Sequence, residues 1–205
     1  MKIGYRISLL VIGILLAVST TIGSSYALWT ITDTQEDTNI ITSGCFTLSY
    51  TDIFNNKSTS INLTNTYPLK DEIGLTLSPY TVVLKNKCNI AASYELTLTT
   101  DANNTLSDEY LKTNLVNVTT NTSFNTNALN TLEKITLDEN LIDKITKEKA
   151  ITIKDTYLLA NGVLNPEEEV KYELRLWLSS DAPNETMKKK FTAVVSNVAY
   201  ATEAK

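Results

Sequence analysis

Apolar and polar residues alternate along most of this chain. In residues 44–51, Phe46, Leu48 and Tyr50 interleave with Cys45, Thr47 and Ser49, the period of two that sends successive side chains to opposite faces of a strand. Residues 92–100 repeat it, with Tyr94, Leu96 and Leu98 against Ser93, Glu95 and Thr97, which predicts one buried and one wet face. In residues 170–178, Tyr172, Leu174 and Leu176 oppose Glu173, Arg175 and Trp177. Trp177, on an otherwise polar face, is expected under a helix or a loop, the alternative being exposure for a partner. Residues 75–85 are apolar enough for a buried strand, with Pro79 marking an edge or a bulge. Shorter strands are expected at 60–64, 110–118, 150–153 and 156–159, and a last one at 191–200.

Polar breaks punctuate these runs at 52–57, at 67–74 with Pro68 and the charged Lys70, Asp71 and Glu72, and at 181–190. A turn is expected through Asn161-Gly162 and Pro166, and Glu167, Glu168 and Glu169 read as a solvated face. The period changes once. In residues 138–147, Leu141, Ile142 and Ile145 share one face behind a capping Asp138, which predicts a helix of two or three turns over the open end of a sandwich rather than a ligand site. Eight or nine short β segments, one short helix and no β-α alternation make this an all-β, antiparallel β-sandwich. The pattern leaves jelly-roll and immunoglobulin-like topologies both open.

The first residues follow another logic. Lys2 and Arg6 precede an apolar run over 7–18, and Ser25-Tyr26-Ala27 is a small-x-small site, the three parts of a secretory signal. Cleavage between Ala27 and Leu28 is expected, giving a signal peptide over 1–27 and a single domain over 28–205 whose first part, 28–43, is an extended segment. The run is about a dozen residues long, short of the roughly 20 a membrane-spanning helix needs, so an uncleaved anchor is the lesser alternative. A lipoprotein is less favoured still, because Thr42-Ser43-Gly44-Cys45 lies far beyond the apolar run.

Behind the cleavage site stand Trp29, Asp33, an acidic polar stretch, Asn39 and then Ile41-Thr42-Ser43-Gly44 leading into the first alternating strand. This order resembles the start of the TasA and camelysin family of exported bacterial proteins, over about thirty residues. Leu28 departs from it, standing where the family has a smaller residue. The resemblance implies processing by a SipW-type signal peptidase, a jelly-roll sandwich, and a role in extracellular fibres of biofilm matrix. Other matrix or surface components are then possible partners.

Composition narrows the chemistry. The formal charge of −5 becomes about −7 once Lys2 and Arg6 leave with the signal, an acidic balance that argues against a nucleic-acid partner. The chain has no histidine, which excludes Ser-His-Asp and Cys-His catalysis, His-ligated zinc and the protease motif built on two histidines. No cofactor, metal or catalytic residue is expected. Cys45 and Cys88 are the only cysteines, and in an exported chain a disulfide is favoured over two reduced thiols. Cys45 is expected to point away from the buried face, so that a bridge would staple the sheet from outside or at its edge.

Three functional classes follow. The first is a secreted structural subunit of an extracellular fibre or biofilm matrix, self-associating by donor-strand exchange through the N-terminal segment. Trp29 and Ile31, on one side of an extended chain, would be its assembly residues; the alternative is that the segment folds back on its own sheet or stays disordered. The second class is a cell-surface binding module for carbohydrate or host protein, marked by an exposed cluster of Tyr and Trp. An enzyme comes last, limited to carboxylate chemistry at residues such as Asp71, Glu72, Asp108 and Glu109, each read first as surface charge.

Overall fold

Antiparallel pairing turns the alternation into two facing surfaces. The computed structural model describes residues 30–33, 40–43, 46–51, 60–123 and 126–201. Within them lie β1 (Thr30–Asp33), β2 (Ile40–Ser43), β3 (Phe46–Thr51), β4 (Ser60–Thr64), α1 (Asp71–Gly74), β5 (Tyr80–Asn86), β6 (Ala92–Asp101) and β7 (Leu111–Asn117). There follow β8 (Thr122–Ser123), β9 (Asn127–Ala128), α2 (Glu139–Lys149), β10 (Ile153–Leu164), β11 (Glu169–Leu178) and β12 (Lys190–Ala201). Short 3-10 turns at Asp108–Tyr110, Leu129–Thr131 and Asn184–Lys188 join some of them.

The strands form an antiparallel β-sandwich. One sheet runs β1-β12-β6-β10, with β4 beside β1 on the same edge of β12; the other runs β2-β3-β5-β11-β7-β8, with β9 also on β7. Between them, Tyr94, Leu96 and Leu98 of β6 and Phe191, Ala193, Val195 and Ala199 of β12 meet Val82 and Leu84 of β5 and Tyr172, Leu174 and Leu176 of β11. Two aromatic contacts cross this core. The rings of Phe46 and Tyr94 lie 6.4 Å apart, and the Tyr94 and Tyr172 hydroxyls share a hydrogen bond of 2.6 Å.

Several expectations change. The single wet face of β6 is absent from its second half, where Thr97 and Thr99 are fully buried. Their cover is α2. Leu141 and Ile145, the residues of its predicted apolar face, pack with Val194 and Val198 in a second, smaller cluster. Val194 and Val198 alternate with Ala193, Val195 and Ala199 of the main core, so α2 lies on the outer face of the five-stranded sheet and not over an open end. Its expected start at Asp138 holds, since the Ile142 N–H donates to the Asp138 carbonyl at 3.0 Å.

The predicted turn at Asn161-Gly162 is also overturned, as is the division into strands at 150–153 and 156–159. Residues 153–164 are one strand, with Asn161 paired to Glu95 and Gly162 to Tyr94 and with irregularities between Ile153 and Thr156 and between Leu158 and Ala160. The glycine serves packing: a Cβ at position 162 would stand 2.8 Å from the Tyr94 hydroxyl oxygen. The chain turns only beyond Asn165, where Glu167 adopts a positive φ of 63°.

Residues 67–74, expected as loop, contain the single-turn α1, and β5 begins at Tyr80 rather than at 75. Leu75 is accordingly exposed, and Pro79 stands just ahead of an interior strand, where its missing N–H removes nothing from the ladder. Trp177 is covered, as expected, and 1% exposed. Its cover is α1. A Cβ built on Gly74 would lie 2.3 Å from Trp177 Cδ2 and Cε2, so the helix backbone rests directly on the indole.

Gly74→Ala should therefore destabilise the protein by about 1–3 kcal/mol, because neither the buried ring nor the backbone has room to move. Urea denaturation would show a lower midpoint with an unchanged slope. An unaltered midpoint would mean that α1 is loosely seated.

Candidate functional site

Of the residues singled out near the N-terminus, Ala27, Leu28 and Trp29 lie outside the described residues. Ile31 falls in β1, which pairs antiparallel with β12 of the same chain: Thr30 opposite Tyr200, Ile31 opposite Ala199, Thr32 opposite Val198 and Asp33 opposite Asn197. Residues 30–33 thus lie on the chain's own sheet. Position 31 stands opposite a residue of the inter-sheet core, for Ala199 is fully buried there. β2 pairs with β3 at the edge of the other sheet.

The described cysteine, Cys88, is disulfide-bonded, and the chain's other cysteine, Cys45, lies outside the described residues. The register of β3 with β5 sets Phe46 opposite Asn86, two residues before Cys88. Cys88 itself is buried. Its N–H donates to Asn86 Oδ1 at 2.9 Å. Asn86 is the hub of this corner: Nδ2 faces the carbonyls of Ile90 at 2.9 Å, Leu164 at 2.9 Å and Asn165 at 3.2 Å. Its backbone N–H donates to Glu168 and its carbonyl accepts from Glu167. No spacing in the sequence distinguishes this asparagine from its many neighbours of the same type.

A second polar group reaches the interior at Asp108, also unmarked by sequence beyond its pairing with Glu109. The reading of both as surface charge holds for Glu109, which is exposed, and fails for Asp108, which the turn before β7 carries inward to 4% exposure. Asp108 Oδ2 accepts the Tyr157 hydroxyl at 2.9 Å and Lys154 Nζ at 3.0 Å. Lys134 pairs with Asp155 at 2.8 Å and stands 5.6 Å above the Tyr157 ring. Burial first, and then the hydrogen bond to Asp108, hold the Tyr157 phenol above its ordinary pKa. This arrangement stitches the turn before β7 to β10, its buried carboxylate engaged by a cation and a phenol through Oδ2 while the buried Oδ1 has no hydrogen-bond partner among the described residues. Asp71 and Glu72 are both exposed beside a shallow hollow that also takes in Lys112, Ser179 and Asp181. Among the described residues there is no group of three or more potential metal-ligating side chains.

No family model, no curated protein and no solved structure matches this chain.

Two solution tests follow from these interior groups. A disulfide between Cys88 and Cys45 closes a loop of about 44 residues and should stabilise by roughly 3–4 kcal/mol, so reductant should lower the thermal midpoint clearly. Labelling of both thiols in unreduced, denatured protein would contradict the bridge. The second test concerns pH. Burial raises the Tyr94, Tyr157 and Tyr172 phenols above their ordinary value of 10.0. Their folded state thus favours the neutral form, a contribution fully present below the unfolded pKa and lost as pH rises beyond it. Stability should fall above about pH 10, with tyrosinate absorbance appearing together with unfolding. Ionisation that precedes unfolding would show these phenols to be accessible.

Proposed function

We propose that this protein is a secreted structural subunit of an extracellular fibre or biofilm matrix. The observation that carries the reading is the placement of the segment behind the signal-like leader: β1 is a four-residue strand at a sheet edge, held by one ladder to β12. A strand so placed can be given to a neighbour's β12 with the same register and hydrogen bonds, the low-cost route of exchanging an identical element between protomers. Donor and acceptor surfaces differ, so the contact is heterologous and propagates. In this reading a SipW-type signal peptidase cleaves between Ala27 and Leu28, Trp29 and Ile31 anchor the donated segment, and the topology is of the jelly-roll class that the family resemblance implies.

The alternative of a cell-surface binding module calls for exposed tyrosines and tryptophans gathered on one sheet face. Among the described residues Tyr67 is the one large aromatic that stands well exposed, while Trp177 is covered by α1.

Electron microscopy of the protein purified from the cells that make it should show filaments. Deleting residues 28–37 should leave a folded monomer that no longer assembles, and Trp29→Ala should weaken assembly in the same direction. Filaments of unchanged yield from the deletion variant would exclude a part for this segment.

A further inference from the structure

The sheet that holds β1 ends on its other side at β10, and the two ends differ in how they are finished. The first half of β10 is strapped: the Ile135 N–H donates to the Thr156 carbonyl at 2.9 Å, the Leu158 N–H donates to Glu133 at 2.8 Å, and Lys134 bridges to Tyr157. Beyond Leu158 the strap ends. Residues 160–163, Ala-Asn-Gly-Val, have no strand partner other than β6 among the described residues and carry no charge, and Val163 is 56% exposed. Edge strands are ordinarily guarded by lysine, proline, a bulge or a covering segment, and an unguarded stretch is a template for another strand. The second register irregularity of β10 lies between Leu158 and Ala160, where the strap ends, and from Ala160 onward the pairing with β6 is regular.

The unguarded half is level with β1. Following the ladders across the sheet, Thr30 aligns through Tyr200 and Ser93 with Val163, and Ile31 through Ala199 and Tyr94 with Gly162. Thr32 aligns likewise with Asn161, and Asp33 with Ala160. The strapped half is level with β4 instead, Ser60 aligning through Val194 and Thr99 with Thr156. Every pairing in the series is antiparallel, so β1 and β10 run in opposite directions. A second copy shifted along the sheet therefore sets its β10 antiparallel to β1 of the first, with residues 160–163 of one level with residues 30–33 of the other.

We propose that residues 160–163 of β10 are the acceptor edge for a second copy of this chain, which adds its β1 there and continues the sheet from subunit to subunit. The inference rests on the fibre reading and adds to the β1–β12 exchange a second contact, at the opposite edge of the same sheet. It holds whether the β1 lying on a given β12 is that chain's own or donated, because the outer edge is the same. The sheet's inherent twist makes the resulting filament helical.

The test places lysines on the edge, Asn161→Lys with Val163→Lys, at two exposed positions where folding should survive. Far-ultraviolet circular dichroism and the thermal midpoint check that it does. The concentration needed for sedimentable filaments should rise on the order of tenfold or more relative to the unaltered protein. If the double variant misfolds, a photo-crosslinking residue at position 163 alone supplies the answer, the expected crosslinks mapping to residues 30–33 of another copy. An unchanged assembly concentration, or crosslinks to residues 160–163 of a second copy, would overturn the edge contact and leave the fibre reading standing. An unaltered protein that never forms filaments would overturn both.

Discussion

The contact on which most of the structure depends is made by Tyr94 at the centre of the sandwich. Its hydroxyl crosses from one sheet to meet Tyr172 of the other at 2.6 Å, and its ring packs near Phe46. A buried hydroxyl without a partner costs roughly 1–3 kcal/mol, so the two tyrosines must face each other and thereby fix the spacing and register of the sheets locally. The same side chain dictates the neighbouring strand. Gly162 is the residue that lets β10 run past the Tyr94 oxygen, and β10 in turn carries Tyr157 to Asp108 and Thr156 to the strap. One inter-sheet hydrogen bond thus reaches, through a glycine, the edge of the molecule.

That chain of dependence explains what the sequence shows and what it hides. Strict alternation in residues 92–98 and 170–176 reports burial of one face, which is a local property, and both strands stand where the pattern puts them. Asn161-Gly162 carries the local mark of a turn, and the mark misleads because the glycine answers to a tyrosine almost seventy positions earlier in the chain. Buried threonines mislead in the same manner. Thr97 and Thr99 look wet by type, yet α2, from a distant part of the chain, covers them.

The functional features were legible to a different degree. The strand character of residues 46–51 can be read residue by residue, because alternation is written in one contiguous stretch. Asn86 and Asp108 are invisible in sequence, since a common polar residue becomes a hub only when the fold surrounds it. The level match between β1 and the bare half of β10 is more remote still. It depends on three successive ladders having no net offset, and no single segment contains that information.

The hydroxyl layer beneath α2 has its own consequence. Thr97 bonds to Ser196 at 2.8 Å and Thr99 to Thr156 at 3.1 Å, each sideways within the sheet, so none of these four groups relies on the helix for a partner. The helix is held instead by a small apolar cluster around Leu141, Ile145, Val194 and Val198. The polar bonds of this layer thus belong to the sheet alone, and α2 adds apolar burial on that face.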